Sequence, residues 1–212
     1  ATIRRQRQMC IRDRNIPKTG GALIISNHVT YIDALVMSVS CPRRIRFVVV
    51  ENFMGVKGIS WFLRLFHCIP ITPNKAKDAI RTTADAVKAG DLVCIFPEGQ
   101  LTRTGMLQEL KKGFQVIARQ ANAPILPVFL DGLWGSIFSF ERFRYFRKFP
   151  KHYRYPVTVN WGKPISTDAV TATSSREALL DLSAEAFLER DGFKHSLGGA
   201  IIRGLKRRLS LI

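Results

Sequence analysis

A histidine and an aspartate five positions apart, His28 and Asp33, are the residues of this chain best suited to acid–base chemistry. Imidazole titrates at about pH 6.5, so it can take a proton at neutral pH; a carboxylate on its other nitrogen fixes the tautomer and stabilises the cation. Such a pair is a general base for an alcohol. The plainer reading, in which Asp33 only caps a helix and His28 is a polar loop residue, fits the same residues. A second stretch, Phe96-Pro97-Glu98-Gly99-Gln100-Leu101-Thr102-Arg103-Thr104-Gly105, carries an arginine after a glycine-containing turn. The paired donors of guanidinium suit a phosphate there. Taken alone, the stretch is an ordinary Pro-Gly turn.

Both stretches follow short apolar runs that read as buried strands, residues 22–25 and 92–95. Thr30-Tyr31-Ile32-Asp33 has the form of a capping box and predicts a helix from Thr30. On one continuous helix, side chains five apart would point roughly 140° apart. His28 and Asp33 therefore converge only if the backbone turns before the cap. Residues 46–50, 124–130 and 157–161 are further strand candidates, and residues 75–89, 112–121 and 176–190 read as helices. Five strands alternating with helices predict a single α/β domain with a mostly parallel central sheet flanked by helices. In such sheets sites form at strand ends, and His28, Asp33, Glu98 and Arg103 all follow strands.

The motifs together resemble the glycerolipid acyltransferase family, whose members share an N-H-x-x-x-x-D block and an F-P-E-G block. Asn27-His28 with Asp33 matches the first, and Phe96 to Gly99 the second. Gly58-Ile59-Ser60-Trp61-Phe62-Leu63-Arg64, Ile69-Pro70-Ile71 and Ala123-Pro124-Ile125-Leu126-Pro127-Val128 extend the likeness over residues 20–165. Within the family, the E-G-Q-L-T-R-T-G, W-G-S-I-F-S and Y-P-V-T-V stretches look similar to the acyltransferase part of bacterial bifunctional 2-acylglycerophosphoethanolamine acyltransferase/acyl-carrier-protein synthetases.

The resemblance implies direct acyl transfer from acyl-ACP or acyl-CoA, with no further cofactor, to the free hydroxyl of a lysophospholipid such as 2-acylglycerophosphoethanolamine. His28 is then the base and Asp33 its partner, with Asn27, Arg64, Glu98, Gly99, Arg103 and Pro127 at the substrate. Ser26 is too near its strand to be a nucleophile. Phosphatidate-forming members usually have E-G-T-R, whereas here Gln100-Leu101 intervene and the arginine comes two residues later, at Arg103; Thr72-Pro73-Asn74 stands where an arginine is common. A less cationic pocket suits a phosphodiester headgroup over a phosphomonoester. Transfer to 1-acylglycerol 3-phosphate or another glycerolipid is the alternative, and a non-catalytic basic lipid- or nucleic-acid-binding domain the alternative of another class.

A chain of 212 residues with 46% hydrophobic content can bury a sizeable core, and its formal net charge of +17 attracts polyanions. Residues 53–66 contain Trp61, Phe62, Leu65 and Phe66 beside Arg64, which suits either a core or a headgroup boundary. Residues 138–155 interleave aromatics with Arg142, Arg144, Arg147, Lys148, Lys151 and Arg154, a mixture that suits single-stranded nucleic acid or an anionic bilayer. The acyltransferase blocks favour lipid, so no nucleic-acid partner is expected. Lack of an uninterrupted apolar run argues against a spanning helix, and the implied location is the cytoplasmic face of the inner membrane.

Cys10, Cys41, Cys68 and Cys94 show no paired spacing, which suits a reducing compartment, and His67, His152 and His195 lack companions at metal-ligand spacing, so no metal is expected. Residues 1–14 form a basic leader, and residues 15–212 the acyltransferase domain. Met9 to Arg14 and Leu209 to Ile212 resemble translated sequencing adapters, so both ends are read as non-native, with the natural termini and any fused domains missing.

Overall fold

Strand β1 (Ala22–Ser26) lies inside a six-stranded sheet, and all five of its residues are buried. The computed structural model describes residues 13–51, 60–72, 75–141 and 156–189. After β1 come α1 (Asp33–Ser40), β2 (Ile45–Val50), α2 (Ser60–Leu65), β3 (Ile69–Ile71), α3 (Ala76–Lys88) and β4 (Leu92–Ile95). Then follow α4 (Gly113–Ala121), β5 (Ile125–Asp131), β6 (Thr158–Trp161) and α5 (Ala172–Glu189). The sheet order is β3-β2-β4-β1-β5-β6, parallel throughout except for β6 against β5.

Side chains alternate across each strand, so the sheet carries a core on both faces. Ala22, Ile24, Phe47, Cys94 and Val128 meet Met37 of α1 and Leu63 of α2 on one face. Leu23, Ile25, Val93 and Ile125 meet Val87 of α3, Phe114 of α4 and Leu179 of α5 on the other. Crossovers moving one way along the sheet, β1 to β2 to β3, use α1 and α2; those moving back, β3 to β4 and on to β5, use α3 and α4. A single handedness of parallel crossovers requires this division of faces.

β1 and β4 are neighbours whose following connections leave toward opposite faces. At such a point the two loops part and open a crevice at the carboxyl ends of the strands. The loops that part here carry His28 and Glu98.

Three boundaries differ from the sequence reading. β3 makes a sixth strand, hidden from pattern reading because it has three residues centred on Pro70; proline is tolerated there because β3 is an edge strand. Helix α1 starts at Asp33 rather than Thr30, because the Thr30 hydroxyl bonds the Asp33 carboxylate instead of capping a helical amide. Helix α5 starts a turn earlier than residue 176: the Thr171 hydroxyl accepts from Ser174 N–H at 2.9 Å and Ser174 Oγ accepts from Thr171 N–H at 3.0 Å, a reciprocal cap.

Among the described residues no helix is long and apolar enough to cross a membrane. Most of 138–155, residues 1–12 and 190–212 of the two suspected ends, and the side chains of Trp61 and Phe62 lie outside the described residues. Of the 53–66 stretch, Leu63 is buried, Phe66 packs against the core and Leu65 is exposed.

Candidate functional site

The turn between β1 and α1 brings the two sequence-predicted groups together. His28 Nδ1 lies 2.9 Å from Asp33 Oδ2, which also accepts from Val29 N–H at 2.6 Å and Thr30 N–H at 2.9 Å. The Thr30 hydroxyl donates to Asp33 Oδ1 at 2.5 Å. Asp33 thus organises the turn into the helix and orients the imidazole at once, so the two readings of the sequence describe one arrangement. A carboxylate can only accept, so Nδ1 carries the proton and Nε2 keeps its lone pair. The Asp33 side chain has no exposure, whereas that of His28 is 24% exposed.

The loop after β4 holds His28 from three directions. The Phe96 ring stacks on the imidazole with centroids 3.9 Å apart, and stacks in turn toward Phe47. Glu98 Oε1 accepts from His28 N–H at 2.9 Å, and Thr102 N–H donates to the His28 carbonyl at 2.8 Å. The second Glu98 oxygen accepts from Gln108 N–H at 3.1 Å. Both carboxylate oxygens are therefore engaged by the protein's own backbone, and Glu98 acts on the site by positioning.

Burial pushes the Glu98 carboxyl above its ordinary range, against the opposing pull of the two amide donors. A raised folded-state value means that this group's contribution to stability is fully present below the unfolded value and declines as pH rises through the folded one. Glu98→Gln should remove that dependence. Its amide offers only one acceptor oxygen, leaving one buried N–H unpaired at a cost of about 1–3 kcal/mol, read from the denaturant midpoint.

Gly99 adopts φ +73°, and a Cβ there would lie 2.5 Å from Lys111 Nζ. The Lys111 ammonium therefore rests directly on the glycine of this turn, with no hydrogen bond or ion pair among the described residues, while its backbone N–H donates to the Pro97 carbonyl at 2.9 Å. Arg103 is exposed and its guanidinium sits 5.5 Å from the centre of the Phe140 ring. Sequence reasoning singled out Arg103 and passed over Lys111. The signal available was a Lys-Lys-Gly run just before a helix, outside the motif blocks.

The remaining expected contacts are placed differently. Asn27 spends its amide on β5, donating to the Leu130 carbonyl at 2.9 Å and accepting from Leu130 N–H at 2.8 Å, which extends the β1–β5 pairing to the edge of the site. Pro127 is buried within β5 opposite Ile25, its ring against Gly162 on the α5 side. Arg64 is exposed on α2, with no hydrogen bond or ion pair to either loop. Ser26 is fully buried and its hydroxyl donates to the Asn27 carbonyl. Burial, with Asp33 nearby, pushes the Cys94 thiol well above the thiol range, so neither residue is placed as a nucleophile. Among the described residues no three His, Cys, Asp or Glu side chains gather as a metal site requires.

Residues 8–131, which contain both loops, match the family described as Acyltransferase. The chain belongs to that family. It is 31% identical over 120 residues to the 1-acyl-sn-glycerol-3-phosphate acyltransferase of Bacillus subtilis, covering 56% of this chain and 59% of that one. The enzyme of the same name from Limnanthes douglasii is 31% identical over 69% of this chain and 51% of its own. A probable 1-acyl-sn-glycerol-3-phosphate acyltransferase of Mycoplasma genitalium is 24% identical over 84% and 69%.

The crystal structure of the 1-acyl-sn-glycerophosphate acyltransferase of Thermotoga maritima superposes with a TM-score of 0.65 at 21% identity, covering 84% of this chain and 70% of that one, which shows a shared fold. This member of the Acyltransferase family spans between 35% and 59% of the length of the first relatives it matches. Those relatives carry the name that the sequence reading held as its alternative acceptor, not the 2-acylglycerophosphoethanolamine name of its main reading.

Proposed function

We propose that the chain carries acyl transfer from a thioester to the free hydroxyl of a lysoglycerophospholipid, with 1-acylglycerol 3-phosphate as the first acceptor to test. The observation that carries this is the His28–Asp33 contact at 2.9 Å on a partly exposed ring, with the Lys111 ammonium against Gly99 of the loop that seats it. His28 Nε2 takes the hydroxyl proton as the oxygen attacks the thioester carbonyl. Asp33 stabilises the imidazolium. The tetrahedral intermediate expels the thiolate, which takes the proton from the ring and leaves as thiol.

Lys111 and Arg103 supply positive charge for the acceptor's phosphate. Lys111→Ala is expected to raise KM for a phosphomonoester acceptor by about tenfold or more, as loss of a charge-assisted hydrogen bond implies, while kcat changes less. Initial-rate kinetics at varied acceptor check it.

A phosphodiester acceptor such as 2-acylglycerophosphoethanolamine is the second reading. It is favoured by Arg103 coming two residues late and lying over Phe140. Purified protein given one acyl donor, acyl-ACP or acyl-CoA, and a panel of lysolipids separates the two by product mass. Lipid binding that survives His28→Ala, with no thioester consumed for any acceptor, would instead leave a non-catalytic binding domain. A peripheral site on the cytoplasmic membrane face is the location this reading carries.

A further inference from the structure

The stretch Trp134-Gly135-Ser136-Ile137-Phe138-Ser139 lies just past residue 131, where the match to the family ends. It belongs to the loop that leaves β5. Ser139 closes that loop: the residue is fully buried, and its hydroxyl accepts from Gly135 N–H at 3.1 Å and donates to the Ser136 carbonyl at 2.9 Å. In the sheet β1 separates β4 from β5, so the ends of those two strands stand two strand spacings, about 10 Å, apart. The loops that leave them nevertheless touch. The Trp134 indole lies against Gly105, where a Cβ would come within 2.8 Å of the ring, and Gly105 has φ +80°, so space and backbone both exclude a side chain there. This contact passes over the carboxyl end of β1, where the His28 turn begins. The β5 loop also pairs Ser139 with Thr30 inside that turn.

Arg103 stands between these fixed points. Thr102 N–H donates to the His28 carbonyl at 2.8 Å, and the Thr102 hydroxyl accepts from Gly105 N–H at 3.1 Å and donates to the Met106 carbonyl at 2.8 Å, which closes a tight turn over residues 102–106. One end of the turn is tied to His28 and the other lies against Trp134. The Arg103 guanidinium reaches the Phe140 ring of the β5 loop, 5.5 Å from its centre. A long cation loses rotamer freedom when it grips a phosphate, and one already held in place loses less.

We propose that the loop after β5 is a third wall of the site, and that Trp134 is the residue that positions Arg103 for the acceptor's phosphate. This deepens the functional reading above and rests on Arg103 meeting that phosphate. Trp134 touches no reacting atom and acts through the 102–106 turn.

The test is a kinetic cycle with a short-chain, monomeric 1-acylglycerol 3-phosphate as acceptor, each variant also being checked by thermal melt. Arg103→Ala should raise acceptor KM about tenfold, as loss of a charge-assisted hydrogen bond implies. Trp134→Leu, which keeps an apolar side chain, should raise it at least fivefold with kcat within about twofold of wild type, and Trp134→Phe should restore most of the loss. Placed on Arg103→Ala, Trp134→Leu should add less than twofold, because the two act as one unit. Unchanged KM in Trp134→Leu, effects that multiply in the double variant, or a fall in kcat alone overturns the proposal. Arg103→Ala with unchanged KM in an active enzyme also overturns it, and there the phosphate role of Arg103 is what has failed. A readout without turnover is the NMR signal of the Arg103 guanidinium, which the Phe140 ring current should displace in wild type and Phe140→Leu should return. In a protein that acylates no acceptor, loss of that displacement in Trp134→Leu upholds the positioning while removing the proposed activity; its retention overturns the positioning.

Discussion

Replacing His28 by alanine is expected to lower kcat/KM for acyl transfer by about a hundredfold to ten-thousandfold, the range for loss of a positioned general base. The variant should nevertheless fold. Glu98 and Thr102 hold His28 through its backbone N–H and carbonyl, which alanine retains, and only the ring's stack on Phe96 and its bond to Asp33 are lost. The stack accounts for about 0.5–1.5 kcal/mol. A steady-state assay beside a thermal melt checks both parts. Near-wild-type turnover in a folded variant would remove the base assignment.

Asp33→Asn is expected to have a smaller kinetic effect than His28→Ala, for a reason specific to this turn. Val29 and Thr30 direct backbone N–H groups at the Oδ2 position, and those donors cannot invert. The amide oxygen of the variant must therefore occupy that position, where it still accepts from Nδ1–H and keeps the reactive tautomer. What is lost is the negative charge facing the imidazolium, so kcat should fall while acceptor KM stays near wild type. Asp33→Ala is a different experiment. It strands two buried amide donors, at about 1–3 kcal/mol each, and should lower the melting temperature as well as the rate. Comparing the three variants separates the charge from the geometry. Asp33→Asn at full activity would mean that the carboxylate serves the turn alone.

The His28–Asp33 pair could be read from the sequence because both groups sit in one turn, where spacing and a capping pattern constrain geometry. The fold class was legible for a similar reason: strands and helices alternate with strong apolar patterning, and the sheet and the shared fold agree with it. What spacing could not carry was the meeting of the two loops. That His28 hangs between Glu98 and Thr102, and that Glu98 spends both oxygens on backbone, follow from β4 lying beside β1, a pairing written nowhere in local pattern. Lys111 was missed because its place above Gly99 is set by the fold, and a lysine in a basic run reads as a solvated charge. Asn27 and Pro127 sit within the matched motifs, yet one clamps β5 and the other packs under α5; adjacency to a motif did not foretell what each touches.

The bond between His28 N–H and Glu98 spans seventy positions of chain. During synthesis the histidine therefore leaves the ribosome well before the loop that seats it, and β1 waits for β4 to insert between itself and β2. Non-local parallel pairing of this kind is slow relative to local helix formation. Half-made chains would possess the His28–Asp33 turn without its seat, so the geometry of the site should be complete only once β4 has inserted.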